Sequence, residues 1–330
     1  MVSSDKTGKN NGGEKEVITM YKESDFFARN YENRWNSQVF FDRTVLNNIP
    51  KDAKLHDDIE NVKSNAAACV NVLGNIAKDQ EGVINFLNTF GLGVQEIIPF
   101  PTGASLDGYK YNDSGNVVFE WIGPNQSPLH ERGGRGQNRT SIDAFILAKV
   151  DNKVTQIFIE WKFTEKYNSD GNLNKFAGIA GNERLRRYSM CLAELRKLKD
   201  FPFNMTYEKG LGLYDLGYEP FYQLLRMTLL AKLTKNLTFD NGLKIENYKI
   251  LHLSHSTNQA LNLVTKHHLS FSPGLQDCAG ESLHEVWKNT ILASAESNTF
   301  HYGYWDEQIK TLPKSAMKKY LMERYVEFVN

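Results

Sequence analysis

The stretch Thr140–Lys162, TSIDAFILAKVDNKVTQIFIEWK, constrains the fold more than any other part of the chain. It reads as two β-strands joined by a tight turn, with Asp143, Glu160 and Lys162 set among hydrophobic neighbours. Successive side chains of a strand alternate. Phe158, Glu160 and Lys162 therefore share one face of the second strand, and Ile157, Ile159, Trp161 and Phe163 share the other. In the first strand Asp143, Phe145 and Leu147 face one way, with Ile142, Ala144, Ile146 and Ala148 opposite. Both faces are largely apolar, the pattern of a central strand pair covered on both sides.

Asp151 and Asn152 tolerate the left-handed backbone that tight hairpins require. With these two as the loop, Val150 lies opposite Lys153, and counting back puts Asp143 opposite Glu160. A four-residue loop keeps that register, whereas a three-residue loop would put Trp161 opposite Asp143. Directly opposed residues share a face, with Cβ atoms roughly 4.5–5.5 Å apart. Two carboxylates that close repel unless a cation lies between them, and charged side chains are rarely buried without a partner. The hairpin thus calls for a divalent metal.

Asp143 followed by Glu160-Trp161-Lys162 at the end of a hydrophobic strand resembles the PD-(D/E)XK nuclease superfamily, whose fold is that of the type II restriction endonucleases. The resemblance is close over about residues 117–165 and looser over the helix and strand that follow. Ser141-Ile142-Asp143 stands where the motif has Pro-Asp. The resemblance implies a phosphodiesterase dependent on Mg²⁺, for which Mn²⁺ can substitute. Asp143 and Glu160 would be metal ligands, with Lys162 beside the attacking water and the scissile phosphate. Magnesium suits such a site, since it takes hard oxygen ligands and is usually held by one or two carboxylates plus substrate phosphate. Lysine adds a compact charge whose pKa burial can lower, and the sequence leaves open whether Lys162 acts as base or as electrostatic positioner. Members of the superfamily often use a further upstream carboxylate on metal, which points to Glu131 or Glu120. Many place a glutamine on a following helix, which points to Gln223. That residue shares a helix face with Arg226, three positions on.

The basic loop Glu131–Arg139 lies directly upstream of Asp143, and its Arg135 and Arg139 are candidate phosphate contacts. It lacks Gly-Lys-Ser/Thr and does not follow a strand, so it is neither a Walker A loop nor a dinucleotide fingerprint. His284-Glu-Val-Trp-Lys288 has lysine where a zincin needs its second histidine, and the zinc reading fails. His252 and His255 are read as structural, and no nucleophile elbow is present. Formal net charge is zero, so nucleic acid would have to bind locally. Residues 131–200 provide that asymmetry, with fourteen Lys/Arg against nine Asp/Glu.

Cys69, Cys191 and Cys278 are far apart and read as small buried hydrophobes, which fits a reducing cytoplasm. No segment approaches a membrane span. Residues 1–16 read as a disordered leader. Residues 17–330 read as one α/β domain, with a core of about 55–255 and a helical C-terminal extension over 256–330. Helices are expected over 55–77, 81–90, 176–198 and 221–234, and later near 257–267, 283–293 and 315–329. Strands are expected near 108–111, 117–121 and 248–253 besides the hairpin. That order predicts a restriction-endonuclease-like core, a four-to-five-stranded mixed sheet flanked by helices. The functional expectation is a DNA endonuclease of the restriction or defence type, cytoplasmic, with a homodimer expected if both strands of a duplex are cut. The rival readings are a catalytically silent nucleic-acid-binding module and a structure-specific repair or recombination nuclease.

Overall fold

A computed structural model of the chain describes residues 39–49, 59, 63–100, 105–106, 109–110, 115–133, 139–165, 167, 174–206, 210–264 and 273–327. The expected leader over 1–16, Arg135 and most of 55–62 lie outside the described residues.

Six strands form one mixed sheet. They are β1 (Val94–Ile97), β2 (Val118–Trp121), β3 (Ile142–Val150), β4 (Lys153–Trp161), β5 (Asn247–Ser254) and β6 (Phe300–Tyr304). The hairpin β3–β4 is its centre and keeps the register read from its sequence, an unbroken antiparallel ladder from Val150↔Lys153 to Ala144↔Ile159. Its two-residue loop is the reason. Asp151 and Asn152 both adopt positive φ, 51° and 59°, the backbone whose twist matches that of the flanking strands. β1 and β2 both pair antiparallel with β3, β1 near its end and β2 near its start. On the other side β5 runs parallel to β4, and β6 parallel to β5.

The apolar faces of the hairpin enter two separate cores. Phe145, Leu147 and Phe158 join helices α3 (Gly178–Lys197) and α4 (Phe221–Thr234) through Tyr188, Leu192, Leu224 and Leu225. Ala144, Ile146, Ile157, Ile159 and Trp161 join α1 (Asn65–Ile76), α2 (Gln80–Asn88), α5 (Trp305–Thr311) and α6 (Ala316–Tyr325). The molecule is therefore a sheet with helices on both faces, the restriction-endonuclease-like architecture expected from the sequence. All three cysteines are free and buried.

Two strands beyond the expected set complete the sheet. β1 is four residues long, with polar Gln95 and Glu96 exposed between its buried ends and a register shift in its pairing, so it carries no period-two signal. β6 follows a short 3₁₀ turn and has the sequence Phe-His-Tyr-Gly-Tyr. Near 108–111 only Tyr109–Lys110 is a described strand, and it pairs with Ser105–Leu106 in a separate two-stranded ribbon. α1 begins at Asn65 because the Ser64 hydroxyl accepts from the Ala67 N–H and caps it. The helix expected over 283–293 is a short turn, Leu283–Glu285, followed by a wider π-helical turn at Val286–Ile291.

The C-terminal stretch is part of this core rather than an appendage. Besides β6, it supplies Trp305, whose ring stacks on Trp161 at 4.9 Å between centroids and whose Nε1 donates to the Lys162 carbonyl at 2.9 Å.

Candidate active site

β3 begins and β4 ends beside a cleft of about 560 Å³. The paired ladder ends at Ala144↔Ile159, and Asp143 and Glu160 are the next residue on each strand. The Asp143 carboxylate accepts from the Trp161 N–H at 2.7 Å, which anchors it across the strand ends. Lys162 follows on the same face, almost fully buried, with its Nζ 2.7 Å from Glu160 and 3.1 Å from Glu165. All four residues line the cleft.

The electrostatics of this cluster are unfavourable to its carboxylates. Burial pushes the Asp143 carboxyl well above the usual range, and the negative charges of Glu160 and Glu120 push it further. Burial also raises the Glu165 carboxyl, with Lys162 pulling the other way. For Lys162 burial opposes the charge, but Glu160, Glu165, Tyr167 and Asp143 outweigh it and hold the ammonium well above its ordinary pKa. Crowded acids in a low-dielectric pocket are relieved by a cation or a proton, so the donor set fits a divalent metal at Asp143 and Glu160. Among the described residues no three His, Cys, Asp or Glu side chains converge as a ready-made metal cage.

The remaining expected site residues divide. Gln223 and Arg226, one turn apart on α4, both line the cleft. The Gln223 carbonyl accepts from the Tyr167 hydroxyl at 3.2 Å. Glu120 also lines it, at a positive φ of 53° that non-glycine residues seldom adopt, and accepts from the Ser141 hydroxyl at 2.7 Å. Arg139 reaches the rim, but its guanidinium donates to the carbonyls of Ile122, Pro124 and Asn125, so it ties down that loop.

Glu131 is not among the cleft's lining residues. It is buried, and its carboxylate accepts from the Thr140 N–H at 2.7 Å, the Thr140 hydroxyl at 2.8 Å and the Tyr188 hydroxyl at 2.9 Å, with Arg226 Nε at 3.5 Å. These bonds give Glu131 a scaffolding task and leave Glu120 as the upstream acid at the cleft.

The start of α1, to which the sequence pattern gives no site role, also lines the cleft through Ser64, Asn65 and Ala66, together with Lys63. The Asn65 side chain accepts from the N–H groups of Phe163 and Thr164 at 2.8 and 3.2 Å, holding the chain that leaves Lys162. No local signal marks that contact, because nearly a hundred residues separate its partners. Glu165 was within reach, three residues past Lys162, but it lies beyond the strand that carried the alternation.

Behind Glu160, its parallel partner His252 meets His284, Nδ1 to Nε2, at 2.8 Å. Burial lowers the pKa of both rings and brings His284 down to about 4. The unfolded chain takes up these protons near 6.5, so stability falls as pH drops from 6.5 towards 4 and is retained above that window. NMR titration should show the His284 ring neutral at pH 6. A ring titrating near 6.5 would contradict the buried pairing.

A family model described as Restriction Endonuclease associating with ARP matches residues 2–326. No curated protein and no solved structure matches the chain. Among the described residues no helix is long and apolar enough to cross a membrane.

Proposed function

The chain belongs to the family of restriction endonucleases associating with ARP, and from that premise we propose that it is a magnesium-dependent endonuclease hydrolysing DNA phosphodiester bonds. The observation that carries the reading is the convergence of Asp143, Glu160 and Lys162 in one cleft, with crowded carboxylates and a buried ammonium. Asp143 and Glu160 would hold the ion, with Glu120, which lines the same cleft, as the further carboxylate. When bound, magnesium would neutralise charge on the phosphate and lower the pKa of the attacking water.

The chain's own residues do the rest. Lys162, kept charged by Glu160 and Glu165, offers a fixed ammonium to a non-bridging phosphate oxygen, which favours the positioning role over that of a base. Trp305 and Asn65 hold the backbone that leaves Lys162, at its carbonyl and at the next N–H, so this ammonium needs little reorganisation. Gln223 is placed to orient water or phosphate from α4. Cutting both strands of a duplex would take two such clefts, which argues for a homodimer on DNA.

The test uses supercoiled plasmid and the full chain. Nicking or linearisation is expected with Mg²⁺ or Mn²⁺ and should stop with EDTA. Lys162→Ala should lower the rate by about 10²–10³-fold while duplex binding persists. Cleavage by Lys162→Ala at the wild-type rate would overturn the assignment. Binding without cleavage by the wild type, on duplex, branched and single-stranded DNA alike, would mark a silent module instead.

A further inference from the structure

A second cleft of about 440 Å³ adjoins the first, and Arg226 lines both. Its walls carry five cations, Arg132, Lys175, Arg184, Arg187 and Arg226, against three acids, Glu131, Glu183 and Glu219. The acids are largely committed. Glu131 is saturated by Thr140, Tyr188 and Arg226. Glu183 pairs with Arg186 at 3.0 Å and Arg187 at 3.7 Å. Burial pushes the Glu219 carboxyl up, towards its neutral form.

The cations are less spent. Arg226 spends Nε on the Thr140 hydroxyl at 2.9 Å and on Glu131, and its guanidinium lies 5.3 Å from the Tyr222 ring centroid, but its two terminal nitrogens have no hydrogen-bond partner among the described residues. Arg187 Nε is buried with no partner among them either. The side chains of Arg132 and Lys175 make no ion pair or hydrogen bond there, and Arg184 spends one nitrogen on the Lys175 carbonyl at 3.0 Å. A concave surface with this much unsatisfied positive charge, continuous through one shared arginine with a cleft suited to a phosphodiester, matches a run of phosphates better than a small neutral ligand.

We propose that the second cleft is the track for the DNA backbone next to the scissile phosphate, with Arg226 bridging the two clefts and Arg132, Lys175, Arg184 and Arg187 contacting the neighbouring phosphates. The inference rests on the endonuclease reading for its substrate, but its test reads binding and not cutting. Phosphate contacts of this kind position the duplex without reading its sequence. They hold it whether or not the reaction proceeds.

The experiment measures binding of a fluorescent duplex oligonucleotide by the full chain in Ca²⁺, across a salt series. Arg132→Ala with Lys175→Ala is the diagnostic pair, since neither side chain supports the fold through a partner. The pair should weaken binding on unrelated sequences alike and reduce the slope of log affinity against log salt by about 1 per contact removed. Arg132→Lys with Lys175→Arg should restore most of the slope, which a merely structural role would not predict. Wild-type affinity and slope in the alanine pair would overturn the track, as would absence of duplex binding by the wild type. If the alanine pair loses affinity but plasmid is never cut by the wild type, the track stands and the catalytic reading falls. If the pair binds normally while Lys162→Ala abolishes cutting, the reverse holds.

Discussion

Asp143→Asn is expected to lower plasmid cleavage by about a thousandfold or more and, in the same protein, to raise the unfolding temperature measured without metal. The two effects share one cause. At Asp143 the carboxylate is desolvated and faces Glu160 and Glu120, so its charge costs stability that a cation would return. The amide keeps an oxygen able to accept the Trp161 N–H, which now bonds to Asp143 at 2.7 Å, so the strand ends stay joined while the repulsion goes. A gain of about 0.5–2 kcal/mol in the metal-free protein is expected, the usual size when a functional site is relieved of strain. Magnesium should behave in the opposite sense. At about ten times its dissociation constant it should stabilise the wild type by about 1.4 kcal/mol through linkage, and the variant by much less. Thermal melts of both proteins with and without Mg²⁺, set beside the plasmid assay, check all of this. Equal magnesium shifts in the two proteins would remove Asp143 from the metal site even if cleavage were lost.

Glu131→Ala should be the most destabilising single change near the cleft, costing about 3–5 kcal/mol. It would leave the Thr140 N–H without its acceptor, strip the Arg226 guanidinium of its counter-charge and deprive the buried Tyr188 hydroxyl of one partner. Thr140 lies three residues before Asp143, and Arg226 shares α4 with Gln223, so activity would fall through misplacement. Denaturant unfolding and magnesium titration separate this from a ligand role. A scaffold residue predicts a large drop in midpoint with magnesium affinity little changed in the protein that remains folded. A variant of wild-type stability that no longer responds to magnesium would instead make Glu131 a ligand. Glu120→Gln is the matched control, with a small effect on stability because glutamine keeps an oxygen able to accept from the Ser141 hydroxyl.

The central hairpin was legible because its information is local. Strand alternation puts Asp143, Glu160 and Lys162 on one face of the pair, and Asp151-Asn152 accept the positive φ that sets the register. α4, an apolar run bounded by Pro220 and Lys235, was equally plain. β1 and β6 were not, because short strands that mix polar and aromatic residues carry no period. The surroundings of Glu131 were illegible for a related reason. Its place upstream of Asp143 makes it look like a ligand, and only Tyr188 and Arg226, brought in by α3 and α4, reveal where its carboxylate is spent.

By itself, then, the sequence determined the strand pair and its register, with two carboxylates and a lysine at its open end, since side-chain period and turn geometry act over a few residues. Tertiary structure alone decided which other groups surround them. α1 brings Lys63 and Asn65 to the cleft, α4 brings Gln223 and Arg226, and Trp305 props Lys162 from the far end of the chain. The second cleft, where Arg132 meets α3, is likewise a product of packing. Such meetings depend on how helices settle on the two faces of the sheet, a matter of shape and burial summed over the whole core that no single stretch of sequence carries.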